Sequence, residues 1–215
     1  MTSEDVLARG LDLLELALPA ETRVQLLAYL ALMRKWNRVY NLTAIRDPMM
    51  MVTHHLLDSL AVVPHLAQER TQLSIADVGS GAGLPGIPLA LARPDWQITL
   101  NERNGKRAAF LRQAKTELAL TNVAVHEGDA LSWHPQQRFD CVISRAFSAL
   151  AEFVATCRHL VAPGGLLAAM QGMRRDTAGN VPQGGVDCRD VRRLQVPLLD
   201  AERHLVLCRV QEPEA

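Results

Sequence analysis

Residues 77–88 read DVGSGAGLPGIP, a carboxylate at Asp77 followed by Gly79, Gly81, Gly83 and Gly86 within eight positions. Glycine at that density lets a backbone run close against a ligand and opens φ values that other residues avoid. A second acid, Glu102, lies twenty-one positions beyond Gly81. Two carboxylates so placed suit a cation and a pair of hydroxyls. The bland alternative is a tight strand-to-helix turn with no ligand; four glycines with both acids in place argue against it. Further on, Arg145 ends the run FDCVIS-R.

These residues need elements to hold them. SIADV (74–78) predicts a strand entering the glycine loop, and IPLALA (87–92) a helix leaving it. QITLNE (97–102), NVAVHEG (122–128), FDCVIS (139–144) and GGLLAAMQG (164–172) read as further strands. GKRAAFLRQAKTEL (105–118) and FSALAEFVATCRHL (147–160) read as the helices between them. The β-α-β-α alternation predicts a parallel, doubly wound α/β sheet. VRRLQVPLL and RHLVLCRV have no helix between them, so the chain ends in an antiparallel hairpin on the sheet edge. Residues 173–187, MRRDTAGNVPQGGVD, read as a mobile loop.

Residues 1–70 read as helical throughout, an extension packed on a core of residues 71–215. Thr2 and Asp5 have capping-box spacing for a helix to about Leu18, and Pro19 starts a second. Leu26, Leu30, Met33, Asn37 and Tyr40 share one face of that second helix, apolar except for Asn37. Asp47-Pro48 begins a third. Asn41 and Thr43 either brace the join between helices or face the ligand cleft, and bracing is favoured.

Spacing alone leaves the ligand open. From Gly81 the loop is G-A-G-L-P-G with an acid in the ribose position, the dinucleotide fingerprint of an NAD-dependent oxidoreductase. From Asp77 it is D-x-G-x-G-x-G, the loop of S-adenosylmethionine (SAM) methyltransferases. A dinucleotide would set its pyrophosphate here, close to the Asp77 carboxylate. SAM carries an ammonium and a sulfonium instead, so Asp77 suits the cation and Glu102 the ribose. Asp77 and the paired terminal strands both favour SAM.

DVGSGAGLPGIPLA, the GKRAAFL helix and ISRAF together resemble the ribosomal RNA small-subunit methyltransferase G family, also called glucose-inhibited division protein B. KWNRVYNLTAI and HHLLDSLAV are similar to its N-terminal segments, and the likeness spans roughly residues 25–172. It implies a class I SAM-dependent methyltransferase fold making N7-methylguanine at position 527 of 16S rRNA. It also implies cofactor contacts at Gly79, Leu84, Ala130, Leu131 and Arg145, beside Asp77, Gly81, Gly83 and Glu102 of the loop reading. Leu84 stands where many members have Phe, Glu102 where many have Asp, and Gln171 where Lys is usual.

Guanine N7 is an unprotonated lone pair at neutral pH, so its methylation needs positioning and desolvation rather than a general base. No N-P-P-Y motif for an exocyclic amine is present, and Thr156-Cys157 falls within a predicted helix, where packing is favoured over nucleophilic catalysis. Arg145 is the candidate catalytic residue, at a strand end where it can orient cofactor, guanine or phosphate. Of His54, His55 and Asp58, the last two share a helical face but have no third metal ligand near them, so helix packing is favoured.

The chain has 215 residues, 23 basic and 23 acidic, for a formal charge of zero. An RNA-binding surface must therefore be local. Candidates are Arg34, Lys35, Arg38 and Arg46, then Arg103, Lys106, Arg107, Arg112 and Lys115, and Arg174 with Arg175. Cys141, Cys157, Cys188 and Cys208 have no C-x-x-C spacing and read as reduced thiols. No signal peptide, membrane span or metal site is expected. The expectation is a cytoplasmic monomer using SAM and acting on 16S rRNA, the small ribosomal subunit or its assembly intermediate. Alternatives are a methyltransferase for another RNA, the oxidoreductase above, and a non-catalytic RNA-binding module.

Overall fold

A computed structural model gives the fold, describing residues 2–147, 149–172 and 185–211. Helix α1 (Ser3–Leu13) opens with Thr2 as N-cap and Asp5 answering it, the reciprocal pair expected from the sequence. It ends five residues before Leu18. Helix α2 (Ala20–Tyr40) follows Pro19 and stops at Asn41, whose left-handed backbone (φ +48°) caps it. Leu26, Leu30, Met33 and Asn37 are buried as the periodicity predicts, but Tyr40 is 42% exposed. The helix outruns the core by one turn there. Asp47 caps α3 (Pro48–Met51), which continues through a π-helical stretch (Val52–Leu57) into α4 (Asp58–Leu60), and α5 (Val63–Ala67) follows.

The sheet has seven strands: β1 (Ser74–Val78), β2 (Gln97–Glu102), β3 (Val123–Glu127), β4 (Phe139–Ser144), β5 (Val161–Gln171), β6 (Val186–Leu194) and β7 (Arg203–Val210). Their order is β3-β2-β1-β4-β5-β7-β6, parallel except at β7, which runs antiparallel to both neighbours. Crossovers are made by α6 (Gly86–Ala92), α7 (Gly105–Glu117) and α8 (Leu150–Cys157), the last running into a 3-10 turn. Alternate strand residues feed two apolar cores. Ile75, Leu100 and Ile143 face the layer of α6, α7 and the N-terminal helices, while Ala76, Val142 and Leu167 face α8. Helix α6 is buried on every side because α2 and α4 cover the face turned away from the sheet, which explains its all-apolar sequence.

The hairpin departs from expectation in two ways. β6 starts at Val186 rather than Val191, so the final residues of the expected loop are strand, while 173–184 lie outside the described residues. The run VDCRD hides it because a bulge at Asp187–Asp190 breaks the alternation, and its charges sit on the sheet edge, where they discourage further pairing. Cys188 and Cys208 are joined in a disulfide, not free thiols. They lie twenty positions apart in sequence, but strand pairing brings their Cα atoms to 3.9 Å. Cys141 and Cys157 are free and buried; burial pushes the Cys157 thiol up to about 12 inside α8, in keeping with a packing role.

Candidate active site

After Val78 the chain turns over the C-terminal end of the sheet. The N–H groups of Gly79 and Ser80 both donate to the Asn101 carbonyl at 3.0 Å, tying the loop to β2. A Cβ on Gly79 would lie 2.8 Å from the Cβ of Ala146, and one on Gly83 would strike Ile87. Gly86 is pressed against Leu100 and Asp77. Packing within the protein thus demands three of the four glycines. Gly81 differs: at φ +58° its added Cβ would meet nothing nearer than the Gly79 carbonyl at 3.9 Å. The open space at Gly81 is where a ligand has room to lie on the backbone.

Asp77 lies beneath this loop, not at its surface. It is fully buried, and its Oδ2 accepts the Gly86 N–H at 2.9 Å, fixing the first turn of α6. Its Oδ1 has no partner, and burial raises the carboxyl to about 7. Asp77 thus supports the loop from beneath through one oxygen, while the other is left without a protein partner. Glu102 is also buried. One oxygen accepts the Gly81 N–H at 2.9 Å and the other the Asn104 N–H at 2.8 Å, so this acid sets the rim of the loop.

Other sequence-assigned residues gather nearby. Leu84 and Ala130 are buried, whereas Leu131 is 62% exposed after β3, its N–H held by Asp129. Arg145 follows β4, its Nη1 2.9 Å from Asp58 Oδ2 and 3.3 Å from the His54 carbonyl. The other oxygen of Asp58 takes Arg203 Nε from β7 at 2.9 Å. His55 does brace the helices, its Nε2 meeting Thr43 Oγ1 at 3.0 Å while Asn37 accepts the Thr43 N–H; Asp58 instead ties its helix to the sheet through the two arginines. The NLT segment braces, as favoured. Burial and the nearby Arg145 hold His55 down at about 4.

Two supports were not foreseen. Tyr29 on α2 is fully buried and donates from its hydroxyl to the Ala82 carbonyl at 2.5 Å, so the N-terminal helices grip the glycine loop directly. A lone Tyr within an apolar stripe is the sole sequence hint. Arg203 offered none, because its partner lies 145 residues away.

The cationic residues divide by location. Arg34, Lys35, Arg38, Arg46, Arg103, Lys106 and Arg107 are exposed and form no ion pair among the described residues. Arg112 instead pairs with Glu127, and Arg174 and Arg175 lie outside the described residues. Trp36 meets Phe110 at 5.5 Å, while Gln25 nearer the start of α2 reaches Leu118 beyond the end of α7. The two helices are thus antiparallel, and both cationic sets come to the same end. Arg34, Arg38 and Arg46, with Asn37 and Met51, line a cavity of about 210 Å³.

The fold and the open glycine loop define a class I SAM-dependent methyltransferase. A solved structure described as the SAM-dependent methyltransferase SibL in its apo form matches 86% of this chain and 69% of its own, with TM-score 0.58 and 16% identity. A predicted O-methyltransferase from Agrobacterium tumefaciens matches 72% and 79%, with TM-score 0.53 and 26% identity. The chain belongs to the GidB family, rRNA small subunit methyltransferase G, whose model matches residues 22–206. Proteins named ribosomal RNA small subunit methyltransferase G are similar throughout. The one from Burkholderia thailandensis is 49% identical over 98% of this chain and 93% of its own length. That from Burkholderia cenocepacia is 50% identical over 94% and 90%.

Proposed function

We propose that the protein transfers the methyl group of SAM to N7 of guanine 527 in 16S rRNA. Family membership together with the open backbone at Gly81 carries this reading. SAM, when bound, supplies the electrophilic methyl. Gly79, Gly81 and Gly83 give it a backbone surface, Glu102 a carboxylate at the rim, and Leu84, Ala130 and Leu131 apolar walls. Asp77 acts one layer below by holding the loop to α6. Arg145 stands over the crevice and orients the target base or the cofactor. Nothing need remove a proton, because the attacking nitrogen has none.

Residues 1–70 serve as an extension that braces the core of residues 71–215 and presents Arg34, Lys35 and Arg38 to RNA. Arg103, Lys106 and Arg107 extend the same surface, and Arg174 and Arg175, outside the described residues, are further candidates for phosphate contact. Unpaired guanidinium and ammonium groups suit phosphates. A cytoplasmic, monomeric enzyme acting on rRNA, the small subunit or its precursor completes the reading. Mapping N7-methylguanine in 16S rRNA with and without the gene tests it: loss at position 527 alone is expected, and an unchanged map overturns it. Thermal stabilisation by SAM and none by NAD separates it from an oxidoreductase.

A further inference from the structure

We infer that Tyr40 is a stacking platform for an unpaired RNA base, with Lys106 and Arg107 beside it to hold a neighbouring phosphate. This rests on the reading of the substrate as RNA. Tyr40 is 42% exposed, although a periodic reading of α2 places it on the core face. Its ring lies 5.2 Å from Trp36, tilted by 35°, and Trp36 in turn meets the edge of Phe110 at 5.5 Å. Three aromatic residues thus form a stair from the core to the surface, and Tyr40 is its outermost step. The inner contacts restrain the ring before a ligand arrives, which lowers the ordering cost of binding.

The surroundings specify the ligand. Moving from Trp36 to Tyr40 advances one turn along α2. On antiparallel α7 the matching step runs from Phe110 back to Lys106 and Arg107, which share its face. Tyr40 is therefore bordered by Lys106 and Arg107 on one side. Arg34 and Arg38 lie on the far side of α2 from Tyr40, where with Arg46 they line the separate cavity. Two exposed cations without ion pairs among the described residues thus border an exposed ring. An apolar protein surface would not require that charge, whereas a single strand presents bases to stack and phosphates to neutralise. A base in a duplex is already stacked on both faces, so the platform selects unpaired nucleotides.

The test uses the full chain with two fluorescently labelled probes, a short single-stranded oligoadenylate and an abasic strand of equal length and charge. Tyr40→Ala is expected to weaken oligoadenylate binding by about tenfold, the scale of one stacked base, and to leave the abasic strand's affinity unchanged. Tyr40→Phe should retain affinity for both probes. SAM binding should be unaltered in either variant, with circular dichroism showing the fold retained. Equal loss on both probes, no loss on either, or failure of the unaltered protein to prefer the base-bearing strand would each overturn the inference. Methylation of rRNA by the unaltered protein tests the parent reading separately, since that can succeed while Tyr40 proves inert.

Discussion

Asp58 on α4 holds Arg145, the residue that follows β4, at 2.9 Å across 87 positions of sequence. The same carboxylate grips Arg203, so three segments of the chain converge on one buried acid. Two guanidiniums on one carboxylate satisfy both oxygens and leave Arg145 little rotamer freedom. Removing the acid leaves two partly buried cations unmatched. Each arginine side chain remains about a quarter exposed, so water softens the cost. Asp58→Ala should destabilise the protein by about 1–3 kcal/mol in denaturant titration. Methylation should fall further than Asp58→Asn lowers it, because Asn retains one acceptor. Equal activity in both variants would show that the contact does not position Arg145.

The glycines separate by what their missing side chains would strike. Gly81→Val puts a branched group into open space at a positive φ. It should abolish SAM binding by calorimetry while circular dichroism shows the fold retained. Gly83→Ala drives a methyl into Ile87 beneath the loop, so it should lower stability as well as SAM affinity. Normal SAM affinity in the first variant would remove the loop from the site.

Paired charge removals address the RNA surface. Arg34→Ala with Arg38→Ala, or Arg103→Ala with Arg107→Ala, should weaken rRNA binding and leave SAM binding nearly unchanged. For every phosphate that is no longer neutralised, the log–log salt dependence should flatten by about 0.7–0.9. Arg145→Ala should instead reduce methylation with RNA still bound. Unchanged affinity and slope in both double variants would make these clusters ordinary solvated faces.

His55 gives a pH signature. Its folded value near 4 lies below the ordinary 6.5, so between those values the unfolded chain binds more protons. Stability from this group is complete above pH 6.5 and is lost as pH falls toward 4. Asp77, raised to about 7, works oppositely, losing stability as pH rises from about 4 to 7. His55→Gln should therefore lose less stability than the parent on going from pH 7 to 5. The difference in slope should be on the order of 1 kcal/mol per pH unit. Identical profiles would show that His55 titrates normally in the folded state.

What the sequence revealed follows the range of the interactions involved. β1, β2, β4 and β7 were legible because apolar runs and turn residues lie side by side in the chain. The glycine loop was legible because its chemistry is local. Asp77 was read as the carboxylate that suits a cation: spacing places it at the strand end but does not say that one of its oxygens turns under the loop to Gly86. Tyr40 was misplaced because periodicity cannot tell where a helix leaves its partners. Arg203 and the Cys188–Cys208 link were invisible, since both depend on the register of a hairpin whose first strand is interrupted by a bulge.

The order of strands has a consequence for synthesis on the ribosome. β6 precedes β7 in the chain but touches the rest of the sheet only through it, because β7 is inserted between β5 and β6. As the polypeptide emerges, β6 has no strand to pair with until Arg203–Val210 have also been made. The second cation on Asp58 arrives with that same strand. An incomplete nascent chain can therefore assemble the glycine loop while Arg145 still shares its carboxylate with no one, and the crevice acquires its final setting only when the last strand slides home.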